Sequence, residues 1–252
     1  MDNEVSVKPS SVIVVGAGIV GAAIAYHLAR QGAQVTVLEQ DSPGSGVTRH
    51  SFAWINPHGE FPAAARALRA QALADYRRLQ HELPALQIRW SGALTYGAAD
   101  QQAPDTDEPT AEASTRWLDR AGVAQLEPHL QVLPERARYA SGEGSLDPVA
   151  ATRTLLDAAC THGARVFDQT RVLGLRVEGQ RVLGVNTAAG LHRADQVLLA
   201  SGCATPALLA PLGIQLPVQA SPSILIRVNA PPGLVKTCLL YTSDAADEGL
   251  GV

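Results

Sequence analysis

Apolar positions in this chain fall into short runs divided by polar turns, and the first forty residues carry the clearest pattern. Residues 12–15 (VIVV) are wholly apolar and β-branched, which predicts a buried parallel strand covered on both faces. From residue 20 the spacing becomes helical. Val20, Ile24 and Leu28 recur every four residues and predict the buried stripe of a helix over 20–30. Gln31-Gly32 supplies a helix stop, and residues 35–38 (VTVL) predict a second strand that ends at Glu39.

Further along, an Ala- and Arg-rich helix is predicted at about 62–83 and a short helix at 114–121. Another helix is expected over 148–162, starting after Asp147 with Pro148 in its first turn. Short strands are predicted at 166–167, 172–177, 182–187, 191–194 and 197–200, with turns at Glu178-Gly179 and Ala189-Gly190. A last strand is predicted at 223–228. Residues 97–115 are rich in Ala, Pro, Asp and Glu and predict a solvated loop or variable insertion.

Between the first strand and helix stands Gly16-Ala17-Gly18-Ile19-Val20-Gly21. Each glycine has a mechanical reason. Gly16 permits the tight turn out of the strand, Gly18 lets a pyrophosphate approach the backbone, and Gly21 lets the helix pack closely. The helix N-terminus offers free N–H groups and the positive end of its dipole. Glu39 lies where an acidic residue accepts hydrogen bonds from an adenosine ribose. This strand–turn–helix–strand unit points to a dinucleotide without separating FAD from NAD.

Composition narrows the field. The chain has 252 residues, 46% of them hydrophobic and 17% charged, enough for one large domain or two interleaved ones. A net charge of −4 and 4% aromatic residues give no basic surface and no stacking platform, which argues against nucleic acid. Cys160, Cys203 and Cys238 are widely spaced with no CxxC pair, and the histidines at 27, 50, 58, 81, 129, 162 and 192 form no ligand spacing, so neither a metal site nor a disulfide framework is expected. The polar start MDNEVSVKPS lacks the apolar stretch of a secretory signal, and no run reaches the length of a transmembrane segment. A soluble cytoplasmic protein is expected, with contact to the inner face of a membrane left open.

After Glu39 a nicotinamide domain would start another strand–helix repeat. Here the chain enters a Gly-, Ser- and Thr-rich loop, residues 40–54. Thr48, Arg49 and Ser51 suit a diphosphate or a flavin edge, although composition alone also fits a polar surface loop. His50, in the same loop, is a weaker candidate for a catalytic or flavin-linking role.

With Thr48-Arg49-His50-Ser51, residues 90–94 (WSGAL), 144–148 (GSLDP) and 194–202 (ADQVLLASG), the chain resembles the D-amino-acid oxidase superfamily of FAD-dependent oxidoreductases, in that family's order from about 11 to 228. That superfamily includes the glycine oxidase, sarcosine oxidase and D-amino-acid dehydrogenase families. The resemblance implies a mixed α/β fold in which a Rossmann-like FAD-binding domain interleaves with a mixed-sheet substrate domain. Gly16, Gly18 and Gly21 would form the dinucleotide turn, and Glu39 would hold the ribose with Gln40 beside it. Thr48, Arg49 and Ser51 would line the pyrophosphate-to-flavin stretch. Val172 would contact adenine through its backbone, and Ala200, Ser201 and Gly202 would close on the phosphate side. The implied segments are 11–85 and 146–215 for FAD, 86–145 and the start of a second segment, 216–237, for substrate.

Residues 238–252 begin CLLYTSDAADE, which resembles a translated transposon-end sequencing adapter, and are expected not to be native sequence. In the resembled family the substrate-carboxylate contacts and a last flavin-contacting segment lie beyond this point, so the chain is expected to be an N-terminal fragment, itself inactive. The implied chemistry is hydride transfer from a CH–NH bond of a small amino acid or secondary amine to flavin. Oxygen or a quinone-type acceptor would then take the electrons. An NAD-dependent dehydrogenase and a non-catalytic FAD-binding subunit are the rival readings.

Overall fold

The computed structural model describes residues 10–57, 63–97, 115–218, 220 and 224–242. The chain opens with β1 (Ser11–Val15), α1 (Ile19–Arg30) and β2 (Gln34–Leu38), then a 3-10 turn at Val47–His50 and β3 (Trp54–Ile55). There follow α2 (Ala63–Glu82), β4 (Ile88–Arg89), β5 (Ala93–Gly97), β6 (Thr115–Asp119) and α3 (Arg120–Leu126). Next come β7 (Arg136–Ala140), β8 (Gly144–Leu146), α4 (Pro148–Thr161) and β9 (Arg165–Phe167). The series closes with β10 (Val172–Glu178), β11 (Arg181–Thr187), β12 (Gly190–Arg193), β13 (Gln196–Leu199), α5 (Thr205–Leu209) and β14 (Cys238–Thr242). The acidic stretch expected as a loop falls mostly on residues 98–114, outside the described residues.

Two compact units form, each from separated stretches: Met1–Phe52, Leu83–Leu86 and Asp147–Leu225 in the first, Ala53–Glu82, Gln87–Leu146 and Ile226–Val252 in the second. Residues 53–82, expected with the nucleotide-binding segment, cluster in the second unit. The ties are local: Gln80 Nε2 donates to Ile88 O, Trp90 Nε1 donates to Gln80 Oε1, and the Arg77 guanidinium lies 4.2 Å from the centre of the Trp90 ring.

The first unit centres on a four-stranded sheet in the order β13-β1-β2-β9, parallel throughout. Burial on both faces explains why Val12, Ile13, Val14 and Val15 are all apolar. Ser11 and Asp195 lock the β1–β13 register 184 positions apart: Ser11 N and Oγ both donate to Asp195 Oδ2, and Asp195 N donates to Ser11 Oγ. The antiparallel sheet β10-β11-β12 adds Val172 and Val185 to a core with Ile13, Val15 and Leu38. Asp147 caps α4 as its sequence position predicts, accepting from Val149 N and Ala150 N through Oδ1.

The buried stripe predicted for α1 is corrected by the structure. Val20 is 61% exposed, and the helix instead buries Gly21, Ala22, Ala25, Tyr26 and Ala29. Helix α1 sits against α4 and the glycine turn, and at Gly21 a Cβ would lie 2.0 Å from Gly16 O, so that inward position has no room for a side chain. At about 100° per residue the buried positions 21, 22, 25, 26 and 29 span an arc of about 140°, and Val20 lies on the opposite side of the helix. The helix stops as expected: Gly32 takes a left-handed φ of 87°, and the Ala33 N–H returns to Leu28 O.

In the second unit β14-β5-β7-β6 form one sheet and β3-β8-β4 another, around a core that includes Leu94, Val123 and Ala137. The short helix expected at 114–121 is corrected to strand β6 followed by α3. Asp119 accepts from Gly122 N and so starts the helix at Arg120, leaving TRWLD, 115–119, to pair with β7. Buried Glu127, at the end of α3, collects the N–H groups of Lys236 (3.0 Å) and Thr237 (2.5 Å) and the Thr237 hydroxyl (2.7 Å). Residues 238–242, set apart in the sequence as non-native, pair with β5 directly after that latch.

Residues 224–228 do not form the strand expected at 223–228. They lie in no regular element, with Ile224, Ile226 and Val228 77–91% exposed. An apolar, β-branched run makes a segment fit for a sheet, but a neighbour's N–H and C=O groups make it a strand. None pairs with it among the described residues.

Candidate functional site: the glycine turn and Glu39

Every residue of the candidate site lies in the first unit, along the ends of β1, β2 and β13. At the tip of β1, Gly16 donates its N–H to Leu38 O (2.8 Å) while Ala200 N donates to Val15 O (2.8 Å). The turn therefore sits between the ends of both neighbouring strands. Gly16 has φ 103°, and a Cβ there would lie 2.6 Å from Ala200 O, so both conformation and space require glycine. A Cβ on Gly21 would lie 2.0 Å from Gly16 O, which is how closely α1 presses on the turn. Around Gly18 the space is open. Within 4 Å its Cβ would meet only the Thr48 Oγ1, at 3.2 Å.

Glu39 turns its carboxylate onto this backbone. Oε2 accepts from Ala17 N at 2.7 Å, and Oε1 accepts from Asp41 N at 3.0 Å. The residue is 9% exposed. Each oxygen keeps a second lone pair, so a bound diol has acceptors left to use. The Glu39 backbone is fixed in turn by the crossover from α4: its N–H donates to Phe167 O (2.9 Å), and its C=O accepts from Thr170 N (2.7 Å). That pair brings the start of β10, with buried Val172, to the Glu39 side of the sheet.

Thr48 is buried, and its hydroxyl points at the helix rather than into solvent: Ile19 N donates to Oγ1 at 3.1 Å. Arg49 and His50 are exposed and Ser51 is half-buried, all beside Thr48 in or just after the 3-10 turn. Gln40 is exposed, and its Nε2 donates to Asp41 Oδ2. Ser201 and Gly202 follow Ala200 directly. The Ser201 and Thr205 hydroxyls share a hydrogen bond at 2.9 Å, and Gly202 takes a positive φ of 55°.

Three contributors carry no side-chain signal and were missed by sequence reasoning. Ala17 serves through its N–H to Glu39 and through its C=O, which accepts from Gly44 N at 2.9 Å. Thr170 serves through its N–H. Gly44 was legible only as one glycine of a loop. In chemical terms the arrangement is a concave run of backbone at a helix N-terminus, a nearby carboxylate, and a cation, Arg49, on the following turn. Such donors and acceptors match what a diphosphate and a diol offer.

A family model described as DAO, FAD dependent oxidoreductase, matches residues 11–250. The chain is 29% identical over 214 residues to a glycine oxidase of Bacillus licheniformis, covering 82% of this chain and 58% of that protein. It is 30% identical over 269 residues to a D-amino acid dehydrogenase of Cereibacter sphaeroides, covering 82% and 62%. The crystal structure of glycine oxidase from Geobacillus kaustophilus superposes with a TM-score of 0.77 at 24% identity, over 92% of this chain and 66% of that one. At that identity the likeness bears on the fold alone. The chain thus spans about three fifths of the length of these two curated relatives.

Proposed function

Because this chain belongs to the family of FAD dependent oxidoreductases matched over residues 11–250, we propose that the protein oxidises a CH–NH bond of a small amino acid or secondary amine. The observation that carries the cofactor side is the Glu39 carboxylate seated on Ala17 N at the open Gly18 backbone. The relatives support the substrate class through their names: glycine oxidase, D-amino acid dehydrogenase and 4-methylaminobutanoate oxidase (formaldehyde-forming) all concern a carbon that bears nitrogen.

FAD fits the residues present. Gly18 has no side chain to fill the approach to α1, and Glu39 retains acceptors for ribose hydroxyls. Gly16, Gly18 and Gly21 would take the pyrophosphate, with Arg49 supplying a positive charge and Ser51 a hydroxyl along the next stretch. Glu39 would hold the ribose with Gln40 beside it, the Val172 backbone would meet adenine, and Ala200, Ser201 and Gly202 would close the phosphate side. When bound, the cofactor supplies a hydride acceptor for the substrate's α-carbon. The chain's own part is to bind and orient: backbone N–H groups and the helix dipole offset the phosphate charge, and the carboxylate fixes the sugar. No side chain of the described residues is assigned as an acid or base. Oxygen or a quinone-type compound would serve as electron acceptor.

Titration of the purified chain with FAD, followed by quenching of flavin fluorescence, tests the cofactor reading, and saturable binding is expected. Anaerobic addition of glycine, sarcosine and a panel of D-amino acids to the flavin-loaded product of the full gene then tests the substrate class. Bleaching of the flavin colour by at least one is expected. Binding of NAD with no binding of FAD would refute the proposal.

A further inference from the structure

We infer that Thr48 is a positioning residue for the glycine turn, acting as an N-cap supplied to α1 from 29 positions away; this rests on the FAD reading above. Helix α1 starts after Gly18, which has no side chain to cap it, and no side-chain cap comes from the helix's own N-terminal residues. The Thr48 hydroxyl fills that role by accepting from Ile19 N at 3.1 Å, and Thr48 is itself 9% exposed. A Cβ on Gly18 would stand 3.2 Å from Thr48 Oγ1, so the hydroxyl would have to give way by a few tenths of an ångström. Gly18 thus serves two ends: it leaves the backbone open to a ligand and it admits the hydroxyl.

The turn is then held at three points, two on Ala17 and one on Ile19, by three separate partners. Ala17 N donates to Glu39, Ala17 O accepts from Gly44 N, and Ile19 N donates to Thr48. Gly44 and Thr48 belong to one loop, and within it Arg49 N donates to Gly46 O and Ser51 N to Thr48 O. The cap therefore fixes the turn and the loop carrying Arg49 and Ser51 in a single geometry. A diphosphate meets ordered backbone, and the cost of ordering it is met in folding rather than in binding.

The test compares Thr48→Val, which keeps the shape and removes the acceptor, with Thr48→Ser, which keeps the acceptor. FAD dissociation constants come from fluorescence quenching, and the exchange rate of the Ile19 amide is read by NMR. Thr48→Val is expected to weaken FAD binding by roughly five- to tenfold, the size of a lost N-cap. Ile19 exchange should accelerate and the melting midpoint fall by about 2–4 °C, while Thr48→Ser restores affinity, protection and midpoint. Three results would overturn the inference: Val binding FAD as tightly as the parent or tighter, because the hydroxyl then competes with phosphate for Ile19; Ser as weak as Val; or Val failing to fold. A parent chain that binds no FAD removes the functional reading and this inference with it, whereas Ile19 exchange in the two variants still reports whether the cap itself exists.

Discussion

Gly21→Ala is the sharpest perturbation that the structure offers. The new Cβ would stand 2.0 Å from Gly16 O, where real Cβ contacts do not fall below 3.0 Å, so helix and turn must separate by about 1 Å. The clashing atom is backbone and cannot rotate away. In an exposed helix the same change would stabilise by up to about 1 kcal/mol. Overpacking against a fixed neighbour costs about 1–3 kcal/mol, and the depth of this clash places it at the upper end. The net expectation is a loss of about 2 kcal/mol, or about 4–8 °C in the melting midpoint of a chain this size. Because the displaced atoms are the turn itself, FAD binding should weaken by about tenfold or more. Gly32→Ala is the control. It has φ 87° and nothing within 4 Å of its Cβ, so it should lose about 1 kcal/mol from backbone strain alone and leave FAD affinity unchanged. Circular dichroism melts and flavin fluorescence titrations measure both. A Gly21→Ala chain that melts with the parent and binds FAD equally would refute the close approach of α1 to the turn.

Glu39→Gln exchanges a charged acceptor for a neutral amide at Ala17 N; the loss of one charge-assisted bond, about 1.5–3 kcal/mol, should weaken FAD binding by about tenfold or more in the same titration. Burial pushes the Tyr76 hydroxyl above its ordinary range. The folded chain therefore disfavours the phenolate, so stability from this group is complete below the unfolded tyrosine value of about 10 and is lost as pH rises through the raised folded value. Urea midpoints of Tyr76→Phe should accordingly fall less steeply than the parent's on the alkaline side. Glu127→Ala leaves the donors of Lys236 and Thr237 without their acceptor, and a loss of about 3 kcal/mol is expected. The most direct readout is faster tryptic cleavage after Lys236, which the latch now holds; unchanged cleavage would contradict the latch.

What the sequence disclosed was mostly what is local. The turn of Gly16, Gly18 and Gly21 was legible because strand, glycine spacing and helix follow one another without interruption. Asp147 was legible because a cap and Pro148 adjoin their helix. The inward face of α1 was not legible: hydrophobic periodicity weighs Val20, Ile24 and Leu28 above Ala22, Ala25 and Ala29, whereas the close approach of Gly21 to the turn sets which side faces in. The strand at 115–119 was hidden because its five residues also suit a helix start, and the arbiter was the Asp119 side chain. The apolar run within 223–228 promised a strand that only a neighbour could have supplied. At the site, Glu39 was visible as a carboxylate at a suitable distance. Its grip on Ala17 N and its backbone tie to Thr170 were not, because they depend on how strands far apart in sequence come to lie side by side.

The strand order β13-β1-β2-β9 has a consequence for how the chain comes to be made. The glycine turn is synthesised first, yet Ala200, which closes over it, and Asp195, which locks Ser11, are translated some 184 codons later. A nascent chain must carry the bare β1–α1–β2 segment, with both flanks of its sheet unpaired, through most of its passage out of the ribosome. Closing so long a loop adds entropy only logarithmically, but it delays the moment at which native contacts return any stability. The nucleotide can therefore help assembly only after translation has passed the β13 end, and chaperone dependence should track how quickly that end is delivered.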